Sequence, residues 1–153
     1  MSSGVKVSDN CVTAFEALKL NKAYEGKKMR YIIYKISDDK THIEIDKTQE
    51  KTPIDKAAPT KFYDDFAALL ASDYATQPRY IIFDFEYVLD DGRPQNKVTL
   101  LNWCPDNAGV KLKMLYASSK DAIKQKCNGI AKEHQGTELS EMDYASVLER
   151  CKA

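Results

Sequence analysis

The stretch Arg79–Trp103, RYIIFDFEYVLDDGRPQNKVTLLNW, decides the fold. From Arg79 to Leu89 nearly every residue is β-branched, aromatic or otherwise apolar, the composition of a central strand covered on both faces. Asp90-Asp91-Gly92-Arg93-Pro94 is turn chemistry, and Lys97 to Trp103 returns as a second, mostly apolar strand. Cys104-Pro105-Asp106 stops it. Two long buried strands joined by so short a turn run antiparallel, which excludes a purely doubly wound parallel sheet.

Working outward, Ser8-Asp9 starts a helix whose apolar side is Val12, Phe15, Ala17 and Leu18, ending near Leu20. Tyr31–Ile36 reads as a strand, Ser37–Lys40 as a turn, and Thr41–Asp46 as an alternating strand with one wet face. Lys47–Thr60, with Pro53 and Pro59, reads as a surface loop in which Lys51 and Lys56 are solvated charge. Phe62, Phe66, Leu69 and Leu70 support a second helix capped by Thr60. Beyond the hairpin, a long helix runs from about Gly109 to Cys127, and Asn128-Gly129 has the residue type that ends a helix in a left-handed turn. A short extended piece follows at Ile130–Gln135. Thr137 or Ser140 then caps a last helix carrying Leu139, Met142, Tyr144, Val147 and Leu148. The expectation is an α/β (α+β) fold: a central mixed sheet of five strands sandwiched by four helices. One domain should span residues 1–153, with residues 1–8 a mobile N-terminal arm.

Composition narrows the function classes. Lys plus Arg and Asp plus Glu both number 23, so no global field draws the chain to nucleic acid or membrane, and any charged recognition must be local. No run approaches the roughly 18 apolar residues of a membrane-spanning helix, and MSSGVKVSDN lacks a signal-peptide core. A cytosolic location is expected. Cys11, Cys104, Cys127 and Cys151 are widely spaced, which argues against zinc and for buried or idle thiols. His42 and His134 have no ligand-like spacing and read as surface residues. Phosphate loops, nucleophile elbows and zinc-protease motifs are missing, so nothing supports an enzyme, and no metal or cofactor is expected.

On a wheel of about 100° per residue, Leu112, Leu115, Tyr116, Ser119, Ala122, Ile123 and Cys127 form the core stripe of the long helix. Lys111, Lys113, Ala117, Ser118, Asp121, Lys124 and Gln125 face water. Met114 falls in the middle of that water-facing side, between two lysines. Single exposed apolar residues are common and need no cause, but Met is also favoured in protein contacts for its adaptable shape.

Four segments, in this order, resemble the actin-depolymerising factor/cofilin family: SSGVKVSDN, YIIFDFEYVLDDG, NWCPDNAGVKLKMLYASSKDAIKQK and LSEMDYASVLER. The resemblance covers essentially the whole chain, and its fold, a five-stranded mixed sheet with helices on both faces, agrees with the reading above. It implies that Lys111, Lys113 and Met114 enter the cleft between two actin subdomains, joined on the same helix by Lys120, Asp121 and Lys124. It implies a second contact from the N-terminal arm at Ser3, Gly4 and Val5, with Ser3 a phosphorylation site. Phosphate adds roughly −1.5 to −2 charge against an acidic partner, a sufficient reason for release. A third, filament-specific contact falls on Arg93, Lys97, Glu149 and Arg150. Gln95, Gln125 and Ala153 stand where relatives often carry a basic residue, and they put the strength of filament engagement in question.

The function so implied is binding of actin monomers and filaments with preference for ADP-actin, followed by severing, depolymerisation and turnover, all without covalent chemistry and by a monomer. Phosphatidylinositol bisphosphate is a further implied partner, through Lys111, Lys113, Lys120, Lys124 and Lys126. Two alternatives stay open: a relative of the same fold that binds filament sides or branch junctions without severing, or a lipid- or polyanion-binding module with no actin role. Lys27-Lys28-Met29-Arg30 is too weak for an import signal, so a nuclear role in carrying actin also stays open.

Overall fold

The computed structural model describes residues 4–153. The elements are β1 (Lys6–Val7), α1 (Asp9–Lys19), β2 (Met29–Ile36), β3 (His42–Glu50), α2 (Lys61–Asp73), β4 (Arg79–Val88), β5 (Pro94–Trp103), α3 (Val110–Lys126), β6 (Lys132–Gly136), a 3₁₀ turn (Leu139–Met142) and α4 (Tyr144–Lys152). One mixed sheet has the order β1-β3-β2-β4-β5-β6. The central pairs are antiparallel, and the parallel pairs β1–β3 and β5–β6 lie at the two edges.

β4 and β5 pair without interruption from Arg79↔Trp103 to Val88↔Pro94, the hairpin expected from their composition. Alternation along β4 supplies both cores. Tyr80 and Ile82 pack with Ile32, Tyr34, Leu100 and the buried sides of α1 and α3. Ile81, Phe83 and Phe85 pack on the other face with Tyr63, Phe66, Trp103 and Val147. The second core is aromatic, with Tyr63–Phe83 and Phe66–Phe83 centroids both 5.2 Å apart. Thus α1 and α3 cover one face, and α2 and α4 the other.

Several expectations need correction. The described sheet has six strands; the additional one is β1, where Lys6 and Val7 of the expected arm pair in parallel with His42 and Ile43. Two residues show no periodicity to read. Val5, just before them, is buried. β3 continues through the stretch read as loop, as far as Glu50, because its outer residues are exposed and polar and leave no alternating pattern. β5 begins at Pro94 rather than Lys97, a first-residue proline that forfeits no interior ladder bond.

Lys51 is no solvated charge: its Nζ lies 2.6 Å from Asp84 Oδ2 and 3.3 Å from Glu86 Oε1. His134 is buried, with Nε2 2.6 Å from the Glu141 carbonyl. The last helix is split. Leu139–Met142 is a 3₁₀ turn, and the cap of α4 is Asp143, whose Oδ1 accepts from Ser146 N at 2.9 Å, in place of Thr137 or Ser140. Thr60 precedes α2, but its hydroxyl donates to the Asp64 carboxylate rather than capping the backbone. All four thiols are buried, as expected.

Candidate functional site

α3 is bolted to the sheet by its buried stripe. Tyr116 OH accepts from Ile36 N at 2.9 Å, and Tyr80 OH donates to the Tyr116 carbonyl, with the two rings 5.1 Å apart. Tyr116, Ser119, Ile123 and Cys127 are buried, while Leu112, Leu115 and Ala122 are half-buried at the margins. A face presented by so anchored a helix is rigid, as a binding surface should be.

The outer face is built against local helix rules at its N-terminal end. Gly109 precedes the helix without a side-chain cap, and the first turn has no acid but holds Lys111 and Lys113. Cations at a helix N-terminus oppose the macrodipole, each at a cost of roughly 0.3–1 kcal/mol. Met114 is 66% exposed and Val110, one turn earlier, 72%. An apolar pair at i and i+4, beside two lysines at an already positive helix end, contributes little to folding and suits an apolar cleft with an acidic rim. Val110 was missed in the sequence because it precedes the wheel's first core residue; its i,i+4 relation to Met114 was the available signal.

The expected site residues separate into distinct groups. Lys111 is exposed, but Lys113 is half-buried, its ammonium donating to the Asp106 carbonyl at 3.3 Å. Lys120 and Lys124 converge on one acceptor, Glu133 of β6, at 2.8 and 3.0 Å. Burial raises the Glu133 carboxyl, but bonding and charge from both lysines outweigh it and hold the group below its usual range. Asp121 and Lys126 line a groove of about 650 Å³ between α3 and the arm, opposite Val5, Lys6 and Val7. Gly4, the residue before Val5, is in the left-handed region at φ 81°. Ser3 lies outside the described residues. From Lys111 to Lys126 the helix rises about 22 Å, so the five lysines form no single headgroup-sized cluster.

The filament-specific candidates are divided between the β4–β5 hairpin and α4. Lys152 Nζ reaches Asp90 at 3.3 Å, tying the last turn of α4 to the β4–β5 turn that holds Arg93. Arg93 itself pairs locally with Asp91 at 2.7 Å while staying 74% exposed. Glu149 and Arg150 are exposed on α4, and Lys97 is half-buried on β5. This surface lies on the α2/α4 side of the sheet and α3 on the other.

Among the described residues, no group of three or more His, Cys, Asp or Glu side chains is placed to hold a metal ion, and no helix is long and apolar enough to cross a membrane.

The family model for cofilin/tropomyosin-type actin-binding proteins matches residues 4–152. Cofilin of Mycosarcoma maydis is 44% identical over 150 residues, covering 98% of this chain and 96% of the relative. The crystal structure of Streptomyces griseoflavus cofilin superposes with a TM-score of 0.77 at 36% identity, covering 97% of each chain. That of Plasmodium berghei actin depolymerization factor 2 gives 0.83 at 28% identity over the whole of both chains. A matching hairpin-centred sheet, a rigid α3 with an exposed apolar and basic face, and this near-complete correspondence lead to one conclusion: the chain belongs to the actin-depolymerising factor/cofilin family of actin-binding proteins.

Proposed function

We propose that this protein binds actin monomers and filaments, prefers ADP-actin, and drives turnover by severing and depolymerising filaments. The observation that carries the reading is the N-terminal half of α3, where Val110 and Met114 are exposed beside Lys111 and Lys113 on a helix pinned by Tyr116. The apolar pair enters a cleft on one actin subunit, and the lysines meet its acidic rim, orienting the encounter more than adding affinity. Gly4, Val5, Lys120, Asp121 and Lys124 extend this first contact, while Arg93, Lys97, Glu149 and Arg150 form a second on the next subunit. A ligand that engages two subunits at once favours the filament geometry fitting both faces, shifting its twist population. Boundaries between decorated and bare segments are then mechanically mismatched and break. The protein acts by binding alone, as a cytoplasmic monomer.

Ser3 is the proposed phosphorylation site, its added charge repelled by the acidic partner. Phosphatidylinositol bisphosphate is a proposed competitor for the α3 lysines. The test is filament co-sedimentation with single-filament imaging of wild type and a Lys111→Ala/Lys113→Ala double variant. Binding and severing by the wild type, both lost in the folded variant, is the expected result. Binding without severing points to a filament-side binder, and no binding overturns the reading.

A further inference from the structure

Glu133 stands on β6 opposite Leu100 of β5, with its side chain on the α3 side of the sheet. One carboxylate oxygen takes Lys120 Nζ at 2.8 Å and the other takes Lys124 Nζ at 3.0 Å. The two lysines lie one helical turn apart, so a single acidic residue spans both. The cluster is only partly wet: side-chain exposures are 25% for Lys120, 45% for Lys124 and 30% for Glu133. The contact lowers the Glu133 carboxyl and raises the Lys124 ammonium.

A free lysine has a flexible four-carbon stem, and fixing it on binding costs entropy. Here that ordering is already done, so a partner meets two ammonium groups in set positions. Glu133 also cancels one of their two charges. A polyphosphate headgroup, which gains mainly from total positive charge, therefore sees a weaker site than the bare helix sequence suggests.

Resting on the actin reading above, we propose that Glu133 is a positioning and selectivity residue, which presents Lys120 and Lys124 to an acidic patch on actin and disfavours their use by polyphosphate lipid headgroups. Two variants separate position from charge. Glu133→Gln removes the charge and the double ion pair; Glu133→Asp keeps the charge on an arm too short to span both lysines. Filament co-sedimentation is run at about 150 mM salt, where the Debye length of about 8 Å suppresses gains from net charge alone. Flotation with phosphatidylcholine vesicles containing phosphatidylinositol bisphosphate is run in parallel, with thermal melts as the folding check.

Both variants should bind filaments roughly three- to ten-fold more weakly than wild type. Only Glu133→Gln should bind the vesicles more tightly, with Glu133→Asp near the wild-type value. Unchanged or tighter filament binding by the folded variants overturns the proposal. So does a parallel loss of filament and vesicle binding with a lowered melting temperature, because Glu133 is then a stability residue only. Wild type that fails to bind filaments overturns the actin reading itself, a result separable from either of these.

Discussion

Lys51 Nζ lies 2.6 Å from Asp84 Oδ2, joining the residue after β3 to the middle of β4. Arg30 and Asn96 complete the environment: Arg30 donates to the Asp84 carbonyl at 3.0 Å, and Asn96 donates to Asp84 Oδ1 at 3.1 Å. Lys61 and Asp65 form a pair of nearly the same length, 2.7 Å, but with side chains 64% and 65% exposed. Equal geometry at unequal burial separates distance from desolvation. Removing Lys51 leaves an anionic Asp84 with 3% exposure only partly compensated, and Lys51→Ala should cost about 2–3 kcal/mol. Lys61→Ala should leave stability nearly unchanged, because both partners of that pair stay solvated. Urea unfolding of both variants checks the contrast, and equal losses would refute it.

This pair also shows where sequence legibility ends. The hairpin was readable because every residue of Tyr80–Phe85 is buried, so composition alone marks a central strand. Lys51 was not, since its partner is 33 residues away and a lone lysine in a polar stretch carries no local sign of burial. Likewise Met114 announced itself by breaking the helical pattern, while the Glu133 contact with Lys120 and Lys124 exists only once β6 is laid beside β5. Periodic, local features were visible. Pairings made by the sheet were not.

Two glycines should respond differently to a methyl group. A Cβ at Gly136 would sit 2.5 Å from Met142 Sδ and 2.6 Å from its Cγ, and Met142 is fully buried. Gly136→Ala should therefore destabilise by about 1–3 kcal/mol through overpacking. At Gly129 the nearest atom is Lys19 Cδ at 2.8 Å, the flexible end of a side chain, and the obstacle is instead φ at 104°. Gly129→Ala should cost about 1–3 kcal/mol through backbone strain. Double variants discriminate the causes. Met142→Ala should relieve the first loss, whereas Lys19→Ala should leave the second nearly intact, as read by the urea midpoint.

The buried thiols predict a pH response. Burial pushes the Cys11 thiol from its usual 9.0 up to about 12, with the neighbouring Cys127 adding to the shift. Burial likewise pushes Cys127 up to about 12, with Glu16 adding to the shift. Between 9 and 12 the folded state thus keeps protons that the unfolded chain releases. This contribution to stability is present in full below about pH 9 and is lost as pH rises toward 12. Native protein at pH 8 should react slowly with a thiol reagent at all four cysteines and rapidly once unfolded in guanidinium. Urea midpoints should fall on passing from pH 8 to pH 10.5, and less steeply in a Cys11→Ala/Cys127→Ala variant.

Met114 and Val110 test whether the exposed apolar pair serves binding or folding. Their side chains are 66% and 72% exposed, so truncation removes little buried area and opens no cavity. Met114→Ser and Val110→Ser should each change unfolding free energy by less than about 0.5 kcal/mol. In an apolar cleft the same side chains lose water entirely, and anchors of that kind contribute 1–3 kcal/mol or roughly ten- to a hundred-fold in affinity. Met114→Ser should therefore weaken actin co-sedimentation by at least about ten-fold while the melting temperature holds. Val110→Ser should follow with a smaller loss, because it stands at the open first turn where the helix end remains wetter. Screening by salt supplies the internal control: the loss from Met114→Ser should persist at high ionic strength, whereas the loss from Lys111→Ala should shrink. A Met114→Ser protein that melts early and binds normally would assign this residue to folding and move the anchor elsewhere on α3.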